Sequence, residues 1–519
     1  MNRTKMLNSI TNNKTKLDFI VIGGGATGLG IALEAASRGY SVVLLEQDDF
    51  TKGTSSRSTK LVHGGVRYLA QGNIALVKEA LRERGFMKKN APHLVKNQSF
   101  IIPAYKWWIK PYYTIGLTIY DLLSGRLSLG WSIPISRKKT LECIPTLKIK
   151  RLKGGVMYHD GQFDDARFGI NLCQTIIEKG GVALNYMKVS GLIKKNNKVT
   201  GVIAIDQETR KEFKIKGKAI INATGVFIDD IIKMDTPNAP KMVCASQGVH
   251  VVLDKVFAPN NYAIMIPKTS DGRVLFAVPW HNKVIVGTTD VLKESAELEP
   301  IALEEEINFI LETAGRFLAK QPKRTDVKSV FAGLRPLAAP KEGSLKTKEI
   351  SRSHKIIISN SGMLTITGGK WTTYRKMAED VINKLIKNSN FKQTQSNTEN
   401  LKIHGYRETT NYNNPLYVYG SDEEKVLELA KSENLEGYLS ESLKIIKAQV
   451  IWGARYEMAR TVEDILARRT RALFLDAKES IRIAPEVAKL LAKEFCYTKE
   501  WEENQVKKFN NIAKNYILN

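Results

Sequence analysis

A chain of 519 residues that is 43% hydrophobic buries enough for two or three domains, which excludes a disulfide-held miniprotein or a wholly disordered segment. Its four cysteines, Cys143, Cys173, Cys244 and Cys496, lack C-x-x-C or metal-ligand spacing, so neither a metal site nor an iron–sulfur centre is expected, and a reducing compartment fits. The net charge of +26 sits on dispersed lysines and arginines with no nucleic-acid motif beside them. A membrane surface is therefore favoured over nucleic acid as its partner, with lysine drift in a lysine-rich proteome left open.

In chain order, residues 1–17 are polar and basic without an apolar core, so they read as a disordered lead-in and not as a secretory signal. Residues 18–46, DFIVIGGGATGLGIALEAASRGYSVVLLE, read as strand, glycine turn, helix, strand and acid. Gly23, Gly25 and Gly28 have G-x-G-x-x-G spacing: the first permits the tight turn, the second lets a pyrophosphate approach, and the third lets helix and strand pack closely. The phosphates would meet the N–H groups of the helix that begins near Ala26, and Glu46 would take ribose hydroxyls. This is the outline of a dinucleotide-binding βαβ unit.

Residues 107–123, WWIKPYYTIGLTIYDLL, are the nearest approach to a spanning helix, but Lys110, Pro111 and Asp121 interrupt them well short of about 18 uncharged apolar residues. They read either as a buried helix with an aromatic edge or as a patch in a membrane interface. Residues 218–225, KAIINATG, are an apolar strand running into Ala223, Thr224 and Gly225, whose small size lets the backbone approach a ligand. Residues 248–253, 273–278 and 283–287 read as strands of a second sheet roofing that ligand. Residues 363–375, MLTITGGKWTTYR, are a strand, then Gly368 and Gly369, then the start of a helix bearing Thr372 and Thr373. The polar stretch 388–402 reads as a linker, and 403–519 as a separate domain with helical spacing at 423–430, 450–467 and 480–495.

A nicotinamide enzyme needs the first of these glycine elements but not the other two. The three together resemble the glutathione-reductase-like FAD proteins. The likeness narrows at residues 54–69 (TSSRSTKLVHGGVRYL), 91–94 (APHL), 160–167 (DGQFDDAR), 333–337 (GLRPL), 368–375 (GGKWTTYR) and 452–476 (WGARYEMARTVEDILARRTRALFLD). These are similar to motifs of the FAD-dependent glycerol-3-phosphate dehydrogenases, and the likeness runs from Asp18 to about Phe495. It implies an α/β chain with a glutathione-reductase-like FAD-binding Rossmann fold over 18–387, an interleaved mixed-sheet substrate domain, and a C-terminal helical domain. It also implies non-covalent FAD, oxidation of sn-glycerol 3-phosphate to dihydroxyacetone phosphate, and electron transfer to a membrane quinone. The chain would then lie in the cytoplasm, peripherally on the inner face of the cell membrane, and a homodimer is left open. A glycerophosphate oxidase passing electrons to O₂, an amino-acid or hydroxy-acid oxidase, and a non-catalytic basic flavoprotein binding lipid or RNA are the competing readings.

The chemistry asks for a base for the hydroxyl proton and cations for a phosphate dianion. Arg335, fixed before a proline in GLRPL, leads as substrate ligand, followed by Lys370 after the glycine pair, Arg57 and Arg375. His63, before Gly64 and Gly65, and His250, in the roof strand, are each base or substrate ligand; the sequence does not separate the two roles. Thr54, Ser55, Ser56 and Lys60 would reach the pyrophosphate or ribityl chain, or cap the following helix. Thr288, Thr289 and Asp290 read as supports.

Overall fold

The computed structural model describes residues 1–11, 16–70, 72–269, 272–338, 354–388 and 390–518. The apolar run after Lys16 forms strand Leu17–Ile22, with Phe19, Ile20 and Val21 fully buried. A strand enclosed on both faces suits a parallel sheet. Accordingly it pairs in parallel with Val42–Leu45 on one side and Glu212–Asn222 on the other. Leu364–Thr367 adds in parallel beyond Glu212–Asn222. All three glycine-bearing segments therefore start from adjacent strands of one eight-stranded sheet. Helices Ala26–Ser37 and Tyr374–Asn388 pack together because Gly30 has no side chain; a Cβ there would lie 2.8 Å from the Tyr374 ring.

A ten-stranded mixed sheet lies over this unit. Near one end of it, strand Val243–Asp254 pairs antiparallel with Val327–Ala338 and with Lys283–Gly287. Ala263–Ile266 joins Val95–Ala104 in parallel, and the latter pairs antiparallel with Gly154–Phe163. The expected roof strands all belong to this sheet, the middle one as Leu275–Trp280.

Three expectations need correction. The lead-in is not disordered where it is described: Arg3–Thr11 is a helix, with Arg3 paired to Asp206 at 2.8 Å and Met6 buried. The stretch after residue 388 is no loose tether, since Phe391 packs 4.7 Å from Phe19 and the Tyr40 hydroxyl donates to the Lys392 carbonyl. The apolar period over 450–467 does not make one helix. Ala448–Tyr456 stops, Met458 takes a left-handed conformation, and a π-helical turn restarts at Asp464–Arg469. A reciprocal cap holds the restart: Asp464 accepts the N–H groups of Arg460 and Thr461 at 2.7 and 3.1 Å, and its own N–H donates to Thr461 Oγ1 at 3.2 Å.

Buried charge joins the C-terminal helices to the rest. Arg469 forks onto Asp49 at 2.6 and 2.9 Å, and Glu457 accepts from Arg167 at 2.7 Å. Helix Ile109–Ser124 is one-sided, contrary to the buried alternative. Leu117, Tyr120, Asp121 and Ser124 face inward, while Tyr112, Ile115, Ile119 and Leu122 are exposed. Among the described residues, no helix is long and apolar enough to cross a membrane, and no cluster of His, Cys, Asp or Glu could hold a metal.

Candidate cofactor and substrate site

The end of strand Leu17–Ile22 turns through Gly23 at φ +107°, where a Cβ would meet the Ala223 carbonyl oxygen at 2.7 Å. Gly25 opens helix Ala26–Ser37, and a Cβ on Gly28 would come within 1.9 Å of the Gly23 carbonyl. Only glycine lets these backbones close. The Ala26 N–H donates to Ser55 Oγ at 2.9 Å, which ties the following hydroxyl loop to the helix start. Glu46, at the end of the second strand, accepts the N–H of Gly24 at 2.6 Å and of Asp48 at 2.9 Å. Burial pushes its carboxyl up to about 7 despite those two bonds.

Gly23, Gly25, Glu46, Thr54, Ser55, Ala223, Thr224, Gly225, Gly368, Gly369 and Thr372 line one cavity of about 550 Å³. A carboxylate at a second strand end, small residues where a side chain would fill the space, and a helix N-terminus together fit FAD, which these residues would hold.

The same cavity is lined by Arg335, Lys370, His63, His250 and Arg57. Arg335 projects from strand Val327–Ala338 opposite Ser246. Its guanidinium donates to Thr288 Oγ1 and the Thr289 carbonyl, each at 3.1 Å, and lies 3.4 Å from Asp290. The Thr-Thr-Asp turn thus orients the arginine. Gly248 leaves room beneath it, since a Cβ there would sit 2.3 Å from Arg335 Nη2. Lys370 precedes the Trp371–Thr373 turn and holds Nζ 4.0 Å above the Tyr68 ring. His250 is buried, stacks on Phe331 at 4.9 Å, and its Nε2 lies 2.9 Å from Thr59 Oγ1. Burial, with Lys60 and Arg335 nearby, holds its pKa well below the ordinary histidine value, because all three disfavour the protonated ring.

Residues 18–375 match the family described as FAD dependent oxidoreductase, and residues 361–503 match the C-terminal domain of alpha-glycerophosphate oxidase. The chain is 38% identical to the mitochondrial glycerol-3-phosphate dehydrogenase of Schizosaccharomyces pombe, across 97% of this chain and 87% of that protein. It is 39% identical to the human mitochondrial enzyme, across 97% and 74%. The chain belongs to the FAD-dependent glycerol-3-phosphate dehydrogenases. A solved glycerol-3-phosphate dehydrogenase from Bacillus halodurans, complexed with FAD, superposes with a TM-score of 0.81 at 30% identity, across 99% of this chain and 97% of that one. The Mycoplasma pneumoniae L-alpha-glycerophosphate oxidase shares the fold at a TM-score of 0.56 and 16% identity, across 74% and 98%.

Several expected site residues lie elsewhere. Arg375 is turned away from the cavity: it forks onto Glu83 at 2.6 and 2.8 Å and reaches Glu379 at 2.7 Å, joining helices Tyr374–Asn388 and Ile74–Asn90. Lys60 is wholly buried behind the loop, donating to Asp165 and to the Ser56 carbonyl, each at 2.7 Å, and burial lowers it to about 7. Ser56 offers that carbonyl, which also accepts from Arg471 at 2.8 Å, and not its hydroxyl. Gly28, Gly64, Gly65 and Thr373 shape neighbouring turns and are absent from the cavity wall. Arg57 lines the wall, but its guanidinium pairs with Glu299 at 2.6 Å and donates to the Ala332 carbonyl at 3.2 Å.

Sequence reasoning passed over Thr59, Tyr68 and Trp371, all on the wall. Trp371 donates from Nε1 to the Ser55 carbonyl at 2.8 Å, closing the hydroxyl loop from 316 residues away. Tyr68 and Trp371 stand inside the 54–69 and 368–375 motifs, where an aromatic beside a glycine pair was the available signal.

Proposed function

We propose that the protein oxidises the secondary alcohol of sn-glycerol 3-phosphate to dihydroxyacetone phosphate and passes the electrons to a quinone at the inner face of the cell membrane. The observation that carries this reading is the convergence of Arg335, Lys370, His63 and His250 on the wall of a cavity that also holds the glycine cradle. Arg335, braced by Thr288, Thr289 and Asp290, presents a planar fork suited to a phosphate dianion. Lys370 adds a second positive charge from the turn after the glycine pair. His250, whose Nε2 lies 2.9 Å from Thr59 Oγ1, and His63 stand on the same wall, one to take the hydroxyl proton and the other to bind substrate. Bound FAD supplies the hydride acceptor.

The membrane part of the reading rests on helix Ile109–Ser124 and its surroundings. Trp107 is 79% exposed, Leu122 64% and Trp131 61%, with Lys106 and Arg126 exposed beside them. Tryptophan, aliphatic and basic side chains presented together suit a lipid interface.

Anaerobic protein mixed with glycerol 3-phosphate should lose its visible flavin absorbance; a stable spectrum would overturn the reading. Reoxidation by a quinone analogue but not by O₂ is the expected second step, whereas rapid peroxide formation would make the protein an oxidase. Sedimentation with anionic vesicles should persist into high salt if the exposed tryptophans insert, and release by salt alone would count against insertion.

A further inference from the structure

The turn that carries His63 is held from behind by a residue of the helix that bears the exposed apolar face. The Gly64 N–H donates to the Tyr120 hydroxyl at 2.7 Å, and that hydroxyl donates to the Asp160 carboxylate at 2.9 Å. Arg84 completes the chain with a 2.6 Å bond to Asp160 and a second, at 3.1 Å, to Ser124 one turn along the same helix. Tyr120, Asp160 and Arg84 are all buried, so each of these bonds is shielded from water. Burial beside Asp160 keeps the phenol protonated, as its role as donor requires.

On its other side the turn meets the charged part of the cavity. Gly65 takes a positive φ of +83°, and a Cβ there would lie 2.5 Å from the Tyr68 ring and 3.8 Å from Lys370 Nζ. Leu81 and Tyr120 close over Gly64 so tightly that a Cβ would meet them at 2.6 and 2.7 Å. His63, Tyr68 and Lys370 line the cavity, while Gly64 and Tyr120 lie behind its wall.

We propose that Tyr120 is a positioning residue for the dehydrogenation: its hydroxyl fixes the His63-Gly64-Gly65 turn, and with it the wall formed by His63, Tyr68 and Lys370. The inference rests on the glycerol 3-phosphate reading of that wall. Tyr120→Phe keeps the ring and leaves Arg84 paired with Asp160, but takes the acceptor from the Gly64 N–H and lets the turn shift. Small displacements of this kind cost rate more than binding.

The test is anaerobic stopped-flow bleaching of FAD-loaded protein by glycerol 3-phosphate, with rates normalised to bound FAD. The expected result is a limiting rate about tenfold lower in Tyr120→Phe, with the half-saturating substrate concentration within about twofold of wild type and FAD content unchanged. An unchanged limiting rate, whatever happens to thermal stability, would make Tyr120 a packing residue and overturn the inference. Loss of FAD would do the same, because a positioning role leaves the cradle intact. If the wild-type protein itself fails to bleach, it is the underlying substrate reading that falls.

Discussion

In the cradle, Gly23, Gly25, Gly28, Ala223 and Gly368 contribute backbone and the absence of side chains; on the charged wall, Arg335, Lys370 and His250 contribute side chains held by other side chains. Backbone recognition requires particular conformations at short spacing, so its residues announce themselves locally. Side-chain recognition requires only that distant strands and turns converge, and each charged group then depends on partners the local sequence does not name. Asp290 for Arg335, Glu299 for Arg57 and Glu83 for Arg375 are such partners. Which cations face a ligand is decided by which ones the fold has already paired and buried.

The sharpest break in that comparison is Gly28→Ala. With a Cβ 1.9 Å from the Gly23 carbonyl, the turn must open, overpacking costs about 1–3 kcal/mol or more, and purified protein should carry no FAD. Normal flavin content would show the cradle to be far more forgiving than its geometry. Next comes Arg375→Met, which strands Glu83 in a buried site. It should lower unfolding free energy by about 3–5 kcal/mol in denaturant titration. The half-saturating glycerol 3-phosphate concentration of the protein that does load FAD should stay within about twofold of wild type. A large loss of substrate affinity would return Arg375 to the charged wall.

Much of the architecture was legible because it is written in local pattern. The buried parallel strands appear as short β-branched runs, and the glycine elements mark where three neighbouring strands end in one sheet. The misreadings share one physical cause, which is that burial is a long-range property. Lys60 and Ser56 sit in a hydroxyl-rich loop that does touch the cavity, yet Asp165 and Arg471, far along the chain, draw them to its back. The lead-in looked solvated because its partner, Asp206, lies on a distant hairpin. The helix at 109–124 carries too little charge for its exposure to be read from periodicity alone, and only packing shows which face was left outside.

A smaller effect concerns Glu46, the carboxyl that lines the cradle at the end of the second strand. The Glu46 carboxyl is raised from 4.5 to about 7 in the fold, so folding favours its protonated form. Its contribution to the stability of the FAD-free protein is complete below pH 4.5 and is lost as pH rises through about 7. Thermal melts across that range should show wild type losing stability relative to Glu46→Gln as pH increases; a gain would mean that its two backbone N–H bonds outweigh burial.

The central claim is that cofactor and substrate are held by separable parts of one cavity, and Arg335→Ala tests it most directly. The variant should purify with wild-type FAD content, while the glycerol 3-phosphate concentration that half-saturates anaerobic flavin bleaching rises on the order of a hundredfold, as expected for about 2–3 kcal/mol of charge-assisted hydrogen bonding. Loss of FAD, or unchanged half-saturation, would contradict the account.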